Sequence, residues 1–445
     1  MPPGDGKSRF PVMFRHATKI LISALLLSPV TSVVAAGRCM SVKERGKTFD
    51  QVWRLVGEKY YDPNFNGVNW NALRERYRPR AIDAACDDGL YGTLKEMAGA
   101  LHDAHTRFRD PAERARARKL QATTPGLTIS EVDGKPVIIS VEPDSDASRV
   151  GVEAGMIITS VDGLPFSQRV SEVREQVGES SSSRAKALLT YYQVLAGEPG
   201  TSVRLGVERE DGSTSQVNLQ RHTVPISPPL LARELPSGYG YIKFDLFSGT
   251  VAKQFRQALA RFADAPGLII DVRGNPGGDF DSVLRIASTF FPDKVSFGRV
   301  IARSGKGPSL MLRMLGVPSR LEAGGSSSQV YNGPVIVLVN EASGSAAEIF
   351  AAGMQENHRA AIIGRQTCGC VLGSVAHPVK GGGEIDISEF GIVTASGRKL
   401  EGVGILPDVR VPLRLDDLRH HHDATLSQAL AVLNSASHVA REAKQ

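Results

Sequence analysis

The spacing of apolar residues changes along this chain, and each change marks a new kind of element. From 41 to 118 apolar positions recur every three to four residues. Phe49, Val52, Trp53, Val56 and Tyr60 mark one buried helical face. A loop over 61–67 (Tyr-Asp-Pro-Asn-Phe-Asn-Gly) precedes a second helix from Trp70, and a third is predicted from Leu90 to Leu101. The Arg/Ala-rich stretch 111–120 predicts a solvated helix. Between 121 and 222 the pattern shifts to short β-rich runs, 126–129 and 136–141 among them. They are punctuated by turns at Asp133-Gly134, Asp162-Gly163 and Asp211-Gly212. Ala185–Leu195 returns to helical spacing, and Val203–Glu208 reads as a strand. From 223 onward continuous apolar strands (239–244, 268–272, 334–339) alternate with helices, one over Val251–Phe262 and one from Ser345 to about Gln355. Strands apolar on both faces and separated by helices predict an α/β core. The Gly/Ser-rich stretch 306–328 is expected to be a loop.

The first residues stand apart. Lys7, Arg9, Arg15 and Lys19 precede the apolar run 20–27, and Val34-Ala35-Ala36 supplies a small-residue exit before Gly37. This order predicts a secretory signal peptide over 1–36 and an exported, periplasmic or extracellular protein. A retained anchor is the alternative, but it needs about 20 uninterrupted apolar residues, and Pro29, Thr31 and Ser32 interrupt this run. The same cations, less Asp5, supply half of the formal net charge of +6. The remainder carries no basic cluster with interleaved aromatics, so no nucleic-acid partner is expected. Length and composition suit a globular protein of two or three domains. Cys39, Cys86, Cys368 and Cys370 can oxidise in an exported protein. Cys39 and Cys86 would meet if the first two helices formed a hairpin. The Cys368-Gly369-Cys370 run lacks the partners of a zinc site, so neither metal nor organic cofactor is expected.

The chemistry centres on strand-to-helix junctions. Ser345 opens a helix directly after the buried strand 334–339, where first-turn N–H groups favour negative charge. That arrangement suits a nucleophile beside an oxyanion, although serine is also a common helix N-cap. The turn Asp271–Gly278 (Asp-Val-Arg-Gly-Asn-Pro-Gly-Gly) ends another buried strand with glycines that let a substrate approach the backbone.

The Gly344–Ile349 run, the 271–278 turn and the segment Ser396–Asp408 together resemble the carboxyl-terminal processing (tail-specific) peptidases and the related tricorn core proteases. The segment 146–163 resembles the helix-turn-strand centre of PDZ domains. The resemblance covers most of 41–412. It implies an α/β protease core of the crotonase-like (ClpP-like) type with an inserted β-rich PDZ domain and an N-terminal helical segment. The expected divisions are a helical domain at 37–120, PDZ at 121–222, the peptidase core at 223–415 and a C-terminal helix or tail at 416–445. By the same match Ser345 is the nucleophile, and Ala346 with Gly277 or Gly278 supplies the oxyanion hole. Gly126, Leu127, Thr128 and Ile129 stand where PDZ modules hold a peptide's terminal carboxylate, which implies polypeptide substrates bound through their C-termini.

One departure is plain. Where the commonest relatives carry a lysine base and a glutamine, this chain has Cys370 and Ser374. A thiol cannot copy a desolvated amine, because it ionises to an anion. The segment 103–106 (Asp-Ala-His-Thr) resembles the tricorn-like branch, which makes His105 the expected base and Glu401 its assisting carboxylate. His105 could instead be structural, Glu401 a surface turn residue, and Cys370 a nucleophile, a disulfide partner or a small buried residue. The expected activity is that of an exported serine endopeptidase cleaving unfolded or C-terminal segments by acyl transfer. The alternative is an inactive, PDZ-containing peptide-binding protein.

Overall fold

Ser41 starts the first helix in the way its sequence suggests. A capping box pairs Ser41 with Glu44, and α1 (Val42–Lys59) then buries Phe49, Val52 and Val56. The computed structural model describes residues 39–177, 180–236, 238–303, 305, 307–325 and 330–442; the predicted signal peptide lies outside them. Helices α2 (Trp70–Asp83) and α3 (Asp87–Gly99) pack beside α1, followed by β1 (Arg107–Arg109) and the solvated α4 (Pro111–Arg118). Their shared core extends onto Ile385 and Ile387 of a later sheet. No helix among the described residues is long and apolar enough to cross a membrane.

The middle segment is closed at its neck. Strands β2 (Gln121–Thr124) and β9 (His222–Pro225) pair antiparallel where the chain enters and leaves it. Between them lie β3 (Leu127–Val132), β4 (Lys135–Val141), α5 (Asp146–Arg149), β5 (Ile157–Val161), β6 (Leu164–Pro165), α6 (Phe166–Val177), α7 (Ser183–Leu195), β7 (Ser202–Glu208) and β8 (Thr214–Gln220). The sheet runs β3-β4-β5-β7-β8, so β3 is an edge strand, and a separate apolar core closes this unit.

The remainder holds two sheets. Its elements are β10 (Leu231–Glu234), β11 (Gly240–Lys243), α8 (Gly249–Arg261), β12 (Leu268–Asp271), α9 (Phe280–Ala287), β13 (Val295–Ala302), α10 (Leu310–Met314), β14 (Arg320–Ala323), β15 (Val335–Val339), α11 (Ala346–Glu356), β16 (Ala361–Gly364), β17 (Gly373–Pro378), β18 (Glu384–Val393), β19 (Val409–Arg410), α12 (Leu415–Arg419) and α13 (Ala424–Glu442). One sheet runs β10-β11-β12-β15-β16-β19 and is parallel from β11 onward. Alternate residues of its strands point to opposite faces. Ile270, Val337 and Val339 face a core shared with α8, α9 and α11, whereas Ile269, Ile336 and Leu338 face α13. The second sheet, β1-β18-β13-β14 with β17 on β18, ties the front helices to this core. The stretch expected to be a loop over 306–328 contains both α10 and β14, because Leu312, Val317 and Leu321 are buried in the core.

Candidate active site

Strand order explains where the site forms. Strands β12, β15 and β16 are parallel neighbours, so the loops leaving their carboxyl ends emerge side by side. These loops are 272–279, 340–345 and 365–372. They are stitched together by Ser343 Oγ donating to Val272 O at 2.7 Å, Gly344 N–H to Asn275 O at 2.9 Å, and Cys368 N–H to Ser343 O at 3.0 Å.

Ser345 sits at the N-cap of α11 with φ 51° and ψ −116°. This backbone conformation is costly for a residue with a side chain, and strain of this kind costs about 1–3 kcal/mol. Its hydroxyl makes no cap hydrogen bond. Gly277 lies against it: a Cβ there would stand 2.6 Å from Ser345 Cβ and 3.0 Å from Ala346 N. The two candidate glycines differ in their amides. Gly277 N–H donates to Asn275 Oδ1 at 2.9 Å, while the N–H groups of Gly278 and Ala346 have no acceptor among the described residues. Asn275 is fully buried, and its amide group anchors on Phe244 O at 3.0 Å.

The loop after β16 is organised by a carboxylate that sequence reading passed over. Glu348 is fully buried in the first turn of α11. It accepts from Ser345 N–H (3.1 Å), Thr367 Oγ1 (2.6 Å), Gly369 N–H (2.7 Å) and Cys370 N–H (2.9 Å). Burial pushes its pKa up and the four donors pull it back. Three of the four are backbone N–H groups, which can only donate; the Thr367 hydroxyl alone could also accept. The Ser-x-x-Glu spacing from Ser345 is a capping-box pattern, and it was the available signal for Glu348. Cys368 and Cys370 form a disulfide, which removes Cys370 as both base and nucleophile. Cys39 and Cys86 are disulfide-bonded as well.

His105 is oriented locally. Asp103 Oδ1 accepts from His105 N–H (2.8 Å), Thr106 N–H (2.6 Å) and Ser388 Oγ (2.9 Å), an Asx-type turn pinned to β18. Next to it, Ala104 N–H donates to Ser181 Oγ and Ala104 packs against the Cys368–Cys370 bridge. His105 Nδ1 is buried and unbonded, as are Asp103 Oδ2 and Glu401 Oε1. The imidazole makes no hydrogen bond to Ser345 and no ion pair with Glu401 in this structure. Burial, aided by the nearby Arg107 cation and opposed by Asp103, lowers its pKa to about 4, which leaves it neutral at pH 7. Glu401 Oε2 accepts from Val371 N–H (2.7 Å) and Leu372 N–H (3.2 Å). Burial, with the charges of Asp103 and Glu348, raises its pKa to about 7 although Ser181 and Val371 donate to it. Glu401 is therefore a partly buried carboxylate at the site rather than a surface turn residue. Gly126–Ile129 lie elsewhere, at the start of the edge strand β3.

Residues 238–411 match the sequence pattern of peptidase family S41, and 41–99 match the tricorn protease C1 domain. A carboxyl-terminal-processing protease of Picosynechococcus is 27% identical over 414 residues, covering 90% of this chain and 91% of that protein. The chloroplastic carboxyl-terminal-processing peptidase 3 of Arabidopsis thaliana is 26% identical over 408 residues, covering 87% of this chain and 73% of the relative. Among solved structures, the photosystem II D1 C-terminal processing protease superposes with a TM-score of 0.58 at 23% identity, over 86% of this chain and 98% of that one. Mature CPAF superposes with a TM-score of 0.66 at 14% identity, over 89% and 96%, and shares the fold. Residues 238–411 are a peptidase family S41 domain, and the chain is a serine-type endopeptidase of the carboxyl-terminal-processing kind.

Proposed function

We propose that this peptidase is an exported enzyme that cleaves unfolded or C-terminal polypeptide segments by acyl transfer through Ser345. Supporting this role, Ser345 is held at a strained helix start next to the unbonded N–H of Ala346, with Gly277 packed on it and the following amide, that of Gly278, unbonded as well. A carbonyl oxygen turning into an oxyanion between them would receive two hydrogen bonds, and each such donor is worth about 10²–10³ in rate. Gly277 shapes this hole from behind, its own amide committed to Asn275. His105 is the base in place of lysine. It is neutral at pH 7, so it can accept the serine proton and return it to the leaving amine. Its contact with Ser345 forms when substrate closes the site, as catalytic hydrogen bonds often tighten only in the complex. Glu401 then stabilises the imidazolium.

The middle unit is read as a PDZ module inserted in a crotonase-like core. Strand β3 is the open edge of its sheet and packs beside α7, which suits a substrate tail added as a strand from Gly126–Ile129. Helix α7 also reaches the site: Arg184 donates to Thr367 O (2.7 Å) and Val403 O (2.6 Å).

The single observation carrying the reading is the strained Ser345, with Gly277 packed against it and the amides of Ala346 and Gly278 left unbonded. The experiment compares the mature protein with Ser345→Ala and His105→Ala on an unfolded protein substrate. Cleavage by the parent and by neither variant is expected. Equal inertness of all three would instead favour a binding protein, and an active His105→Ala would remove histidine as the base.

A further inference from the structure

Five consecutive amides, Cys368 to Leu372, are all committed without belonging to any helix or ladder. Cys368 N–H donates to Ser343 O, Gly369 and Cys370 to Glu348, and Val371 and Leu372 to Glu401. In return, Ser345 N–H donates to Cys370 O at 2.9 Å. This short loop therefore links the nucleophile's backbone to the carboxylates of Glu348 and Glu401. What closes it on itself is the bridge between Cys368 and Cys370. Gly369 at its centre has φ +73°, and a Cβ there would stand 3.0 Å from Gly402 C and Val403 N, so only glycine fits the bend. The two cysteines are 8% and 5% exposed and packed against Ala185 with Ala104 and Leu188. The neighbour of His105 thus rests on the same bridge.

We propose that the Cys368–Cys370 disulfide is a positioning element of the active site, so that the oxidised chain is the competent enzyme and reduction disarms it. The inference rests on the reading of Ser345 as nucleophile. The physical reason is local. Covalent sulfur–sulfur bonding holds the two residues at about 2 Å between sulfurs, a separation two thiols cannot share. Once reduced, the thiols move apart, and the Cys370 carbonyl shifts relative to Ser345 N–H, as do the amides facing Glu348 and Glu401. Misplacement of a reacting group by about 1 Å can cost on the order of 10²-fold in rate. Among the described residues no hydrogen bond joins the 368–372 loop to the edge strand β3, so the loss is expected to fall on kcat and to leave KM nearly unchanged. The redox step is an exchange with a small dithiol. One of its thiolates attacks a bridge sulfur to give a mixed disulfide and a protein thiolate. Its second thiolate then displaces the other protein sulfur. The protein gains two electrons and two protons, and the reagent leaves as a cyclic disulfide.

The test uses the full mature chain on an unstructured fluorogenic polypeptide. Kinetics are measured before and after dithiothreitol and after reoxidation, with the thiol state read by alkylation and mass spectrometry. Reduction is expected to lower kcat by roughly 10–100-fold with KM within about twofold, and reoxidation to restore it. Cys368→Ser/Cys370→Ser should start at the reduced parent's rate and ignore the reductant. Cys39→Ser/Cys86→Ser should respond as the parent does. Amide hydrogen exchange at 345 and 368–372, independent of turnover, should accelerate on reduction. A fully reduced bridge with unchanged kcat and unchanged amide protection would overturn the proposal, as would a loss that follows Cys39 and Cys86. Should the double-serine chain fail to fold, the reduced parent, checked by its thermal melt, decides. An oxidised parent without activity rejects the nucleophile reading instead, and the exchange data still report on the bridge.

Discussion

Replacing Glu348 tests how the site is built, because the glutamine and alanine variants should differ by an amount the geometry specifies. The carboxylate takes two donors on each oxygen: Thr367 Oγ1 and Gly369 N–H on Oε1, Ser345 N–H and Cys370 N–H on Oε2. Glutamine keeps one oxygen, so one pair must face an NH₂ group. The Thr367 side is the cheaper place for it. A hydroxyl can turn and accept from the amide, even while Thr367 Oγ1 accepts Ile405 N–H at 2.6 Å. Only Gly369 N–H is then orphaned, at about 1–3 kcal/mol. Ser345 and Cys370 keep their acceptor, and kcat should fall less than about tenfold. Alanine leaves all four donors unmet at a buried position and should cost about 3–5 kcal/mol, with near-complete loss of activity. Urea denaturation of parent, Glu348→Gln and Glu348→Ala, with kcat measured on each, provides the comparison. An alanine variant within about 1 kcal/mol of the parent would refute the reasoning, since a buried set of four donors cannot lose its acceptor so cheaply.

Gly277→Ala should keep the fold and lose on the order of 10²-fold in kcat, because its Cβ would press on Ser345 Cβ at 2.6 Å and its φ is +120°; circular dichroism and kinetics check both halves. Glu401 has a raised pKa of about 7, so its folded-state advantage is full below the unfolded value and is lost as pH rises through about 7. Denaturation at pH 5 and pH 8 should therefore show the parent losing about 2–3 kcal/mol relative to Glu401→Gln at the higher pH; equal pH dependence would contradict the assignment. His105, lowered to about 4, should show its imidazole NMR shifts unchanged from pH 8 to about pH 5 in the free enzyme. A midpoint near 6.5 would mean the ring is solvated.

Much of the core was legible in the chain itself. Continuous apolar runs gave β12 and β15, and the three-to-four spacing gave α1, α8 and α11, because both patterns record burial within a few residues of sequence. The serine at the β15–α11 junction was visible from the buried strand before it and the helix after it, and the Asp-x-His-Thr turn from its resemblance to the tricorn-like branch. Strand β18 was not. Its ten residues are all buried, yet Glu384, Asp386, Ser388 and Glu389 break the apolar pattern; their partners are Arg109, Arg114 and Thr106 from a distant segment and His377 from the neighbouring strand β17. Nor could sequence choose between Gly277 and Gly278, since a side chain, Asn275 Oδ1, decides which amide is spent. The meeting of three loops at one end of the sheet belongs wholly to tertiary structure. It follows from the order β12-β15-β16, in which residues about seventy positions apart become neighbours, and no local periodicity encodes that order. The chain thus named the candidate residues of the site, while the packing of its strands decided which hydrogen bonds each of them would spend or keep free.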